Sequence, residues 1–218
     1  MASASEPLAS EAEVEALGAP RRLELADLER ATSALVRTFA WHEPFYAWAM
    51  PDEGTREERM RSRIEADIRD RFLPEGECWT IGGACVTLWI PPLSGDGTEA
   101  LAARREEADY EAFGEMGDPL RASDGLIESL KPPQPHWFLD TIGTAPEFRR
   151  RGLGARLLDH DLAIRDAAGD ACALDTHTPD NVAFYERRGF EVIGQGRQGP
   201  SLTVSVMFRP ARGRVALK

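Results

Sequence analysis

The sequence lacks the features that would assign it at once to several protein classes. It has only three cysteines, which is neither the even number of a disulfide framework nor the paired spacing of a zinc site: Cys78, Cys85 and Cys172. No apolar run approaches the ~20 residues that span a bilayer. The first residues lack the basic and then apolar pattern of a signal peptide. We therefore expect reduced and buried thiols, no metal, no membrane span and a cytoplasmic location.

Positive charge is also scarce. The 218 residues carry 26 Lys and Arg against 37 Asp and Glu, which gives a net charge of −11. Nucleic acids and anionic membranes require a basic surface, so we expect neither as a partner. Cationic small molecules are compatible with this charge, although an acidic surface commonly serves solubility alone.

The ends of the chain differ in composition from its middle. Residues 1–19 are rich in Ala, Ser and Glu and show no apolar stripe, so we expect a flexible tail there and a shorter one at 211–218. The remaining residues 20–210 are long enough for one domain with a proper core.

Strand and helix patterns within this domain predict the fold class. A charged amphipathic helix is predicted from an apolar residue at every fourth position, at Met60, Ile64, Ile68 and Phe72. Glycine at 82 and 83 between two apolar runs indicates a hairpin. After the prolines at 132 and 133 the order is strand, helix, strand, helix, strand, strand. This order predicts an α/β or α+β fold with a mixed sheet.

The segment "EFRRRGLGARLL" contains a contradiction. Arg149, Arg150 and Arg151 precede a helix start, where the positive end of the helix dipole disfavours cations. Glycine at 152 and 154 lets a ligand approach the unpaired backbone N–H groups of that helix start. The charges become favourable if an anion binds there, because arginines add charge-assisted hydrogen bonds to phosphate oxygens. We therefore interpret the segment as a phosphate or pyrophosphate cradle.

Two common phosphate loops do not fit this segment. A Walker loop needs Lys followed by Ser or Thr after its last glycine, whereas Ala155 and Arg156 follow here. A dinucleotide fingerprint needs a third glycine, whereas position 157 is leucine. Nucleotide hydrolysis and dinucleotide binding are therefore not expected.

The pattern Arg149-x-x-Gly152-x-Gly154 resembles the acyl-coenzyme A loop, R/Q-x-x-G-x-G/A, of the GNAT acyltransferase superfamily. It follows "TIGTAP", which is similar to that family's apolar strand and proline, and "DNVAFYERRGFEV" resembles its second signature of Asn, Tyr and Gly-Phe. Puromycin N-acetyltransferase-like enzymes are the most similar, and they commonly carry Glu-Thr where Asp175 and Thr176 stand here. The resemblance implies a single GNAT-like domain with a mixed, mostly antiparallel sheet flanked by helices, and acetyl-CoA as cosubstrate.

The resemblance also implies roles for residues of the second signature. Tyr185 occupies the position of the family's general acid, and a neutral tyrosine of pKa ~10 can protonate a departing thiolate of pKa ~8.5. Asn181 lies four residues earlier on the same helix face and would hold the coenzyme. The simpler alternatives are a half-buried core tyrosine and a helix cap at Asp180 or Asn181.

Acyl transfer to an amine also needs a base, since most aliphatic amines are protonated near neutral pH. Asp175, at the end of the strand that precedes the helix of Tyr185, is the first candidate. His177 faces the same side of that strand and is the second candidate. Asp140 and His136, on the preceding strand, are further candidates.

For the coenzyme, the resemblance implies a strand that separates from its neighbour, so that backbone groups of Ile142 and Thr144 pair with the pantetheine arm. The predicted coenzyme-binding residues comprise the end of this strand, the cradle and the second signature: Ile142, Gly143, Thr144, Arg149, Arg150, Arg151, Gly152, Leu153, Gly154, Ala155 and Asn181.

The loop between the first two helices commonly borders the acceptor in this superfamily. Here "WHEPFYAWAMPD" would supply an aromatic wall, with Trp41 and Phe45 as the predicted acceptor contacts. Glu43 and Asp52 would lie near a cationic amine. Packing of a long loop onto the core is the alternative.

Together these observations predict an enzyme, an acetyl-CoA-dependent N-acetyltransferase that acts on a primary amine of a small molecule, such as an antibiotic or a related metabolite. Antibiotic resistance is the corresponding biological role. The alternatives are the same chemistry on a protein N-terminus or lysine, and a non-catalytic coenzyme A-binding module. A monomer and a homodimer remain equally open.

Overall fold

The computed structural model of the protein describes residues 8–41, 43–92, 110, 114–199 and 201–212. Its helices are α1 Glu11–Ala16, α2 Leu28–Phe39, α3 Pro44–Ala49, α4 Glu53–Ala66, α5 Leu73–Glu75, α6 Gly117–Leu130, α7 Leu153–Ala168 and α8 Pro179–Glu186. Its strands are β1 Arg21–Arg22, β2 Glu77–Ile81, β3 Cys85–Ile90, β4 Trp137–Thr144, β5 Cys172–Thr176, β6 Glu191–Gln198 and β7 Leu202–Arg209.

The strands form one seven-stranded sheet in the order β1-β2-β3-β4-β5-β7-β6. β4 and β5 run parallel, and the other neighbouring pairs are antiparallel. Two parallel strands need a crossover connection, which α7 supplies. The predicted α/β fold, with a mixed and mostly antiparallel sheet flanked by helices, is confirmed.

Helices cover both faces of the sheet. On one face α2 and α4 pack against β2 and β3, and Ile127 of α6 packs near Ala173 of β5. On the other face Leu158 of α7 packs in one cluster with Leu174 of β5. Ala173 and Leu174 face opposite layers because successive side chains of a strand alternate. A side chain from either layer can therefore reach the middle of the sheet only where two strands separate.

The predicted charged helix changes its pitch along its length. α4 continues as a π-helical segment, Asp67–Phe72. The four-residue spacing of Met60, Ile64, Ile68 and Phe72 exceeds the about 3.6 residues of an α-helical turn, so an α-helix would rotate this row away from the core. The wider π turn keeps Ile68 and Phe72 buried, at 0% and 1% exposure.

The aromatic segment 41–52, predicted as a loop, contains the short helix α3. Pro44 occupies its first turn, where a missing N–H costs no helical hydrogen bond. At its other end Met50 N–H donates to Tyr46 O at 2.9 Å. Phe45 is buried, so the segment packs onto the core, as the alternative interpretation expected.

Part of the predicted N-terminal tail is helical. Ser10 caps α1 through a capping box with Glu13. Two contacts attach this segment to the start of α7: Ala9 N–H donates to Glu147 O at 2.7 Å, and Arg156 reaches the carbonyl oxygen of Gly18. Residues 1–7 and 213–218, which include most of the predicted C-terminal tail, lie outside the described residues.

The hairpin and the thiols follow the sequence predictions. Glycine at 82 and 83 joins β2 to β3 with φ angles of 57° and 71°, the left-handed values that tight hairpin turns require. Cys78, Cys85 and Cys172 are free and buried. Burial raises the pKa of the Cys78 and Cys172 thiols to about 12 and that of Cys85 to about 11. Among the described helices, none has the length and apolar character needed to cross a membrane.

Candidate active site

The parallel strands β4 and β5 separate at the centre of the sheet. Their pairing ends at Leu139 and Leu174, although β4 continues to Thr144 and β5 to Thr176. The predicted separation is confirmed. Beyond Leu139, the edge of β4 that faces β5 has no strand partner in the described part of the chain, and its backbone groups need other partners.

Asp140 stands at the point of separation. Leu88 of β3 pairs with Thr141, whereas the next residue, Trp89, pairs with Leu139. Asp140 is therefore an extra residue in β4, which makes a β-bulge. Bulges redirect side chains and increase the local twist of a sheet. Here the bulge residue lines two neighbouring cavities.

These cavities adjoin each other where β4 and β5 separate. The smaller one, of about 170 Å³, is lined by the predicted candidates of α8 and β5: Tyr185, Asn181, Asp175 and His177. The larger one, of about 620 Å³, extends along α6 and the proline-rich segment 132–135. Asp124, Asp140 and Asp175 line both cavities. The three carboxylates therefore mark the boundary between the two spaces.

Tyr185 reaches the smaller cavity from the layer of α7 and α8. Its side chain is 6% exposed, and its hydroxyl makes no hydrogen bond with any described residue. A buried tyrosine hydroxyl usually finds a partner, so this one is available to a ligand. Burial, followed by the negative charges of Asp175 and Glu43, raises the pKa of Tyr185 well above its ordinary value. The hydroxyl therefore keeps its proton at neutral pH.

Asp175 and Tyr185 both line the smaller cavity. Burial raises the pKa of Asp175 from its ordinary 3.8 to about 6; the charge of His177 opposes this shift and the charge of Asp140 adds to it. A carboxylate of this pKa is ionised at pH 7 and is still basic enough to accept a proton from a substrate. Asp175 thus has the environment of a general base.

His177 belongs to a chain of polar contacts beside the smaller cavity, made of one ion-pair contact and two hydrogen bonds. Its Nδ1 lies 3.0 Å from Glu43 Oε1, and its Nε2 lies 2.5 Å from Gln198 Oε1. The amide of Gln198 continues the chain, because its Nε2 donates to Ser123 Oγ at 2.6 Å. The chain connects the segment before α3 with β5, β6 and α6.

This chain determines the charge state of His177. Burial lowers the pKa of His177, but the contact with Glu43, the charges of Asp175 and Glu43 and the bond to Gln198 raise it above the ordinary value overall. Both ring nitrogens face oxygen acceptors, an arrangement that favours the doubly protonated, positive ring. This state favours a charged, positioning role for His177 and leaves Asp175 as the base candidate.

The cradle lies at the start of α7. Gly152 precedes the helix with a φ of 76°, and no described side chain caps it. The backbone N–H groups of the first helical residues, Leu153, Gly154 and Ala155, therefore have no helical acceptor. A Cβ built on Gly152 would meet no atom within 4 Å. Unpaired N–H groups, the helix dipole and open space together suit a phosphate.

The arginines of the cradle have different surroundings. Arg149 Nη2 donates to Thr38 O at 3.0 Å, and Arg151 Nη2 donates to Ala9 O at 2.7 Å. Arg150 is exposed and has a φ of 58°, a left-handed conformation that costs a non-glycine residue roughly 1–2 kcal/mol. Arg149 and Arg151 thus brace the loop through backbone carbonyl oxygens, and Arg150 and Arg151 are both exposed.

The residues at the end of β4 pack against α2, and one of them also lines the smaller cavity. A Cβ on Gly143 would approach Leu35 Cδ2 to 2.6 Å, so glycine is required there by the close approach of α2. The carbonyl oxygen of Thr144 accepts a hydrogen bond from Thr38 Oγ1 at 2.9 Å. Ile142 lies on the wall of the smaller cavity. Of the three predicted strand positions, Ile142 is thus the one placed at the cavity.

The predicted aromatic wall is only partly at the site. Phe45 and Tyr46 line the smaller cavity, and the Phe45 ring stacks on His177 with centroids 5.8 Å apart. Trp41 is 46% exposed, lies 5.3 Å from the guanidinium carbon of Arg56, and is not among the residues that line either cavity. The structure therefore does not bring Trp41 together with the other site residues.

Helix capping engages Asp52 but not the side chain of Asn181. Asp52 caps α4 by accepting a hydrogen bond from Gly54 N–H at 3.0 Å, so its carboxylate serves the helix. In α8 the cap is Thr178, whose Oγ1 accepts from Asn181 N–H at 3.3 Å. The side chain of Asn181 is therefore not the helix cap, and it lies on the smaller cavity.

Some site residues carried no recognisable sequence signal. Gln198 and Ser123 are buried polar residues at 3% and 5% exposure, and Asp124 is adjacent to Ser123 on α6. Their elements come together only in the folded sheet. His136 lines the larger cavity; its Nδ1 lies 2.8 Å from Gln134 O, and burial lowers its pKa.

Comparison with known proteins identifies the fold and the domain. Residues 118–192 match the family described as "Acetyltransferase (GNAT) domain". The matched part includes α6, the cradle and α8. Within these residues the chain is similar to an acetyltransferase domain of the GNAT type, and its predicted enzyme class is confirmed.

Solved structures share the whole fold. A histone acetyltransferase and related acetyltransferase from Corynebacterium glutamicum is 22% identical, with a TM-score of 0.64 over 88% of this chain and 96% of that one. A Drosophila melanogaster polyamine N-acetyltransferase, which forms N-acetylagmatine, is 17% identical, with a TM-score of 0.60 over 88% and 98%. A mosquito arylalkylamine N-acetyltransferase-like protein is 17% identical, with a TM-score of 0.58 over the same shares.

Proposed function

We propose that this GNAT-domain chain is an acetyl-CoA-dependent N-acetyltransferase that acetylates a primary amine of a small molecule by direct attack. The observation that carries the proposal is the meeting of Tyr185 and Asp175 at one cavity, where β4 and β5 separate. One group is a protonated phenol and the other a carboxylate with a pKa of about 6. A pair with these properties matches the acid and the base that amide formation needs.

The residues present fit acetyl-CoA. The uncapped start of α7 and the exposed Arg150 suit the phosphates. The free edge of β4 beyond Leu139 offers backbone groups to the pantetheine arm. We assign coenzyme binding to the cradle, to Ile142 at the cavity and to Asn181 of α8. When bound, acetyl-CoA supplies the acetyl group as a thioester.

The side chains then supply the proton transfers. Asp175 accepts a proton from the ammonium form of the acceptor and leaves a neutral nitrogen able to attack. Tyr185 holds its proton at Oη and donates it to the sulfur as the carbon–sulfur bond breaks. The phenol regains a proton from the acylated nitrogen, so the products are an amide and a free thiol. His177 remains positive beside Asp175 and limits the rise of the carboxyl pKa.

Three observations favour a small-molecule acceptor. The space next to the acid and base consists of two adjoining cavities of about 170 and 620 Å³, sizes that suit a small molecule. Two of the similar structures carry names of enzymes that act on polyamines and arylalkylamines. The net charge of −11 favours cationic molecules. An antibiotic or a related amine, as in puromycin N-acetyltransferase-like enzymes, is the acceptor we propose to test first.

The testing experiment is release of free thiol from acetyl-CoA across a panel of amines. The panel contains aminonucleosides, aminoglycosides, amino acids, polyamines, arylalkylamines and short peptides. We expect strong turnover with one small-molecule class and little with the peptides. Turnover confined to peptides would support acetylation of proteins instead. Coenzyme binding without turnover on any acceptor would support a non-catalytic coenzyme A-binding module.

A further inference from the structure

We infer that the acceptor is a bulky amine whose largely apolar, ring-bearing body occupies the larger cavity, while its amino group lies between Asp140 and Asp175. The inference rests on the proposed function, since it names the acceptor class of the same site. It places the acceptor beside α6 rather than against the aromatic wall that the sequence predicted.

The position of the larger cavity supports this assignment. The smaller cavity holds Tyr185 and Ile142, which mark the place of the thioester, and its volume is only about 170 Å³. It cannot hold both the thioester end and a large acceptor. Asp140 and Asp175 line the larger cavity as well. An amine placed between these carboxylates therefore has room for its body in the larger cavity.

The size and the wall of this cavity indicate the kind of body. Its volume of about 620 Å³ lies within the range of roughly 300–1,000 Å³ that drug-sized ligands occupy. Away from the carboxylates, the wall contains many apolar side chains: Ile90, Pro91, Ile127, Pro132, Pro133 and Phe138. A short linear diamine would leave most of this space to water and would cover little of the apolar wall.

The other charged residues of the wall each contact a neighbouring residue: Arg71, Asp124, Glu128 and Lys131. The guanidinium carbon of Arg71 lies 5.1 Å from the centroid of the Phe72 ring, and Asp124 Oδ2 accepts a hydrogen bond from Tyr110 Oη at 3.1 Å. Lys131 Nζ lies 2.9 Å from Glu128 Oε2 and 4.2 Å from the centroid of the Phe138 ring. A paired lysine and glutamate contribute little net charge to the cavity. The amine end, at Asp140 and Asp175, is therefore the end that suits a cation, and the remainder suits an uncharged body.

Gly125 is an independent indication that this space is kept open. It lies inside α6 and lines the larger cavity, although a glycine within a helix costs about 1 kcal/mol relative to alanine. Close packing explains its neighbour Gly117, where a Cβ would meet Tyr110 O at 2.1 Å. At Gly125, which is exposed at the edge of the cavity, a Cβ would meet no atom within 4 Å, so packing does not require a glycine there. The helix thus exposes bare backbone to the cavity, as close approach of a ligand requires.

The test narrows the cavity from this position and compares amines of increasing size. Gly125→Phe places a ring in the larger cavity, and Gly125→Ala adds only a methyl group. Ala122→Phe adds the same ring to an exposed position of α6 that lines neither cavity, and is the matched control. The amines are propylamine, 2-phenylethylamine and biphenyl-4-ylmethylamine, each assayed for kcat/KM with acetyl-CoA in the full chain.

We expect kcat/KM of the unmodified chain to rise at least roughly tenfold from propylamine to biphenyl-4-ylmethylamine, because the larger body covers more of the apolar wall. Gly125→Phe should remove this increase and leave propylamine turnover within about twofold. Gly125→Ala should have a smaller effect and Ala122→Phe none. An equal loss for all three amines, or no loss for the largest one, would overturn the inference.

Direct binding separates this inference from the proposed function. Binding of biphenyl-4-ylmethylamine is measured by ligand-observed NMR for the unmodified chain and for Gly125→Phe. Binding that Gly125→Phe abolishes, without turnover of any amine, supports the cavity assignment and contradicts the proposed acetyl transfer. Turnover of propylamine together with no binding of the biphenyl amine contradicts the cavity assignment alone.

Discussion

The proposed coenzyme side and the proposed acceptor side of the site are built from different kinds of groups. The proposed coenzyme side is mainly backbone from the end of β4 to the start of α7, joined by the side chains of Arg150 and Asn181. The acceptor side is made of side chains from elements far apart in sequence: α3, α6, β4, β5 and β6. Most substitutions leave backbone groups in place, whereas each side chain can be removed singly. The chemistry and acceptor choice should therefore respond to substitution more strongly than coenzyme binding does.

The largest expected effect is that of Tyr185→Phe. Loss of the hydroxyl removes the proton donor at the departing sulfur, so we expect kcat to fall roughly 10²-fold or more. Affinity for coenzyme A should change little, because the cradle does not depend on this hydroxyl. Steady-state kinetics and calorimetric coenzyme binding would measure the two effects. Unchanged turnover would show that Tyr185 is a core aromatic and not the acid.

Asp175→Asn should follow, with kcat/KM reduced about 10²-fold at pH 7. In the unmodified chain we expect kcat/KM to rise with pH through about 6, the pKa of Asp175, and this limb should vanish in the variant. A pH series from 5 to 9, in roughly half-unit steps, would measure both. A limb that persists in Asp175→Asn would assign the base to another group.

The same substitution gives a stability test with a defined sign. The folded chain binds the Asp175 proton more tightly than the unfolded chain, whose carboxyl has the ordinary pKa of 3.8. The contribution of Asp175 to the free energy of unfolding is therefore fully present below pH ~4, and it is lost as the pH rises through about 6. Asp175→Asn should be more stable than the unmodified chain by about 3 kcal/mol at pH 8, with the difference shrinking below pH 6. Chemical denaturation at pH 5 and pH 8 would measure it.

Arg150→Glu is the matching test of the coenzyme side. Reversal of this exposed charge should weaken coenzyme A binding roughly tenfold, since a hydrogen bond to a charged group contributes about 1.5–3 kcal/mol. kcat at saturating coenzyme should be unchanged. Arg150→Gly removes the charge but also relieves the left-handed φ of 58°, so it should weaken coenzyme binding while raising the unfolding midpoint. Unaltered affinity in both variants would contradict the cradle.

The smallest effect is expected for His177→Asn, which removes the positive charge beside Asp175. That charge holds the pKa of Asp175 down, so the acidic limb of kcat/KM should move upward by about one pH unit. Turnover well above the new pKa should change only a few-fold. If His177 were the base, the limb would disappear instead of moving.

Prediction from the sequence succeeded for features that the residues of one short segment determine. The glycines at 82 and 83 determine a hairpin through their permitted φ values, and Gly152 and Gly154 mark the helix start that forms the cradle. The aromatic segment was harder, because a proline at the first turn of α3 resembles a loop signal. The π-helical turn after α4 could be recognised only from the structure, because it depends on which of Met60, Ile64, Ile68 and Phe72 are buried.

The sequence by itself determined the order of helices and strands from β4 to β7, the start of α7 at Gly152, and the helix shared by Asn181 and Tyr185. These features depend on residues within a few positions of one another, so local backbone preferences specify them. Only the tertiary structure decided that Asp140 is a bulge residue, that Glu43, His177, Gln198 and Ser123 form one chain, and that Trp41 lies away from the site. It also revealed the cavity beside Gly125. Such features depend on contacts between distant segments, which arise only when the sheet assembles and its strands separate.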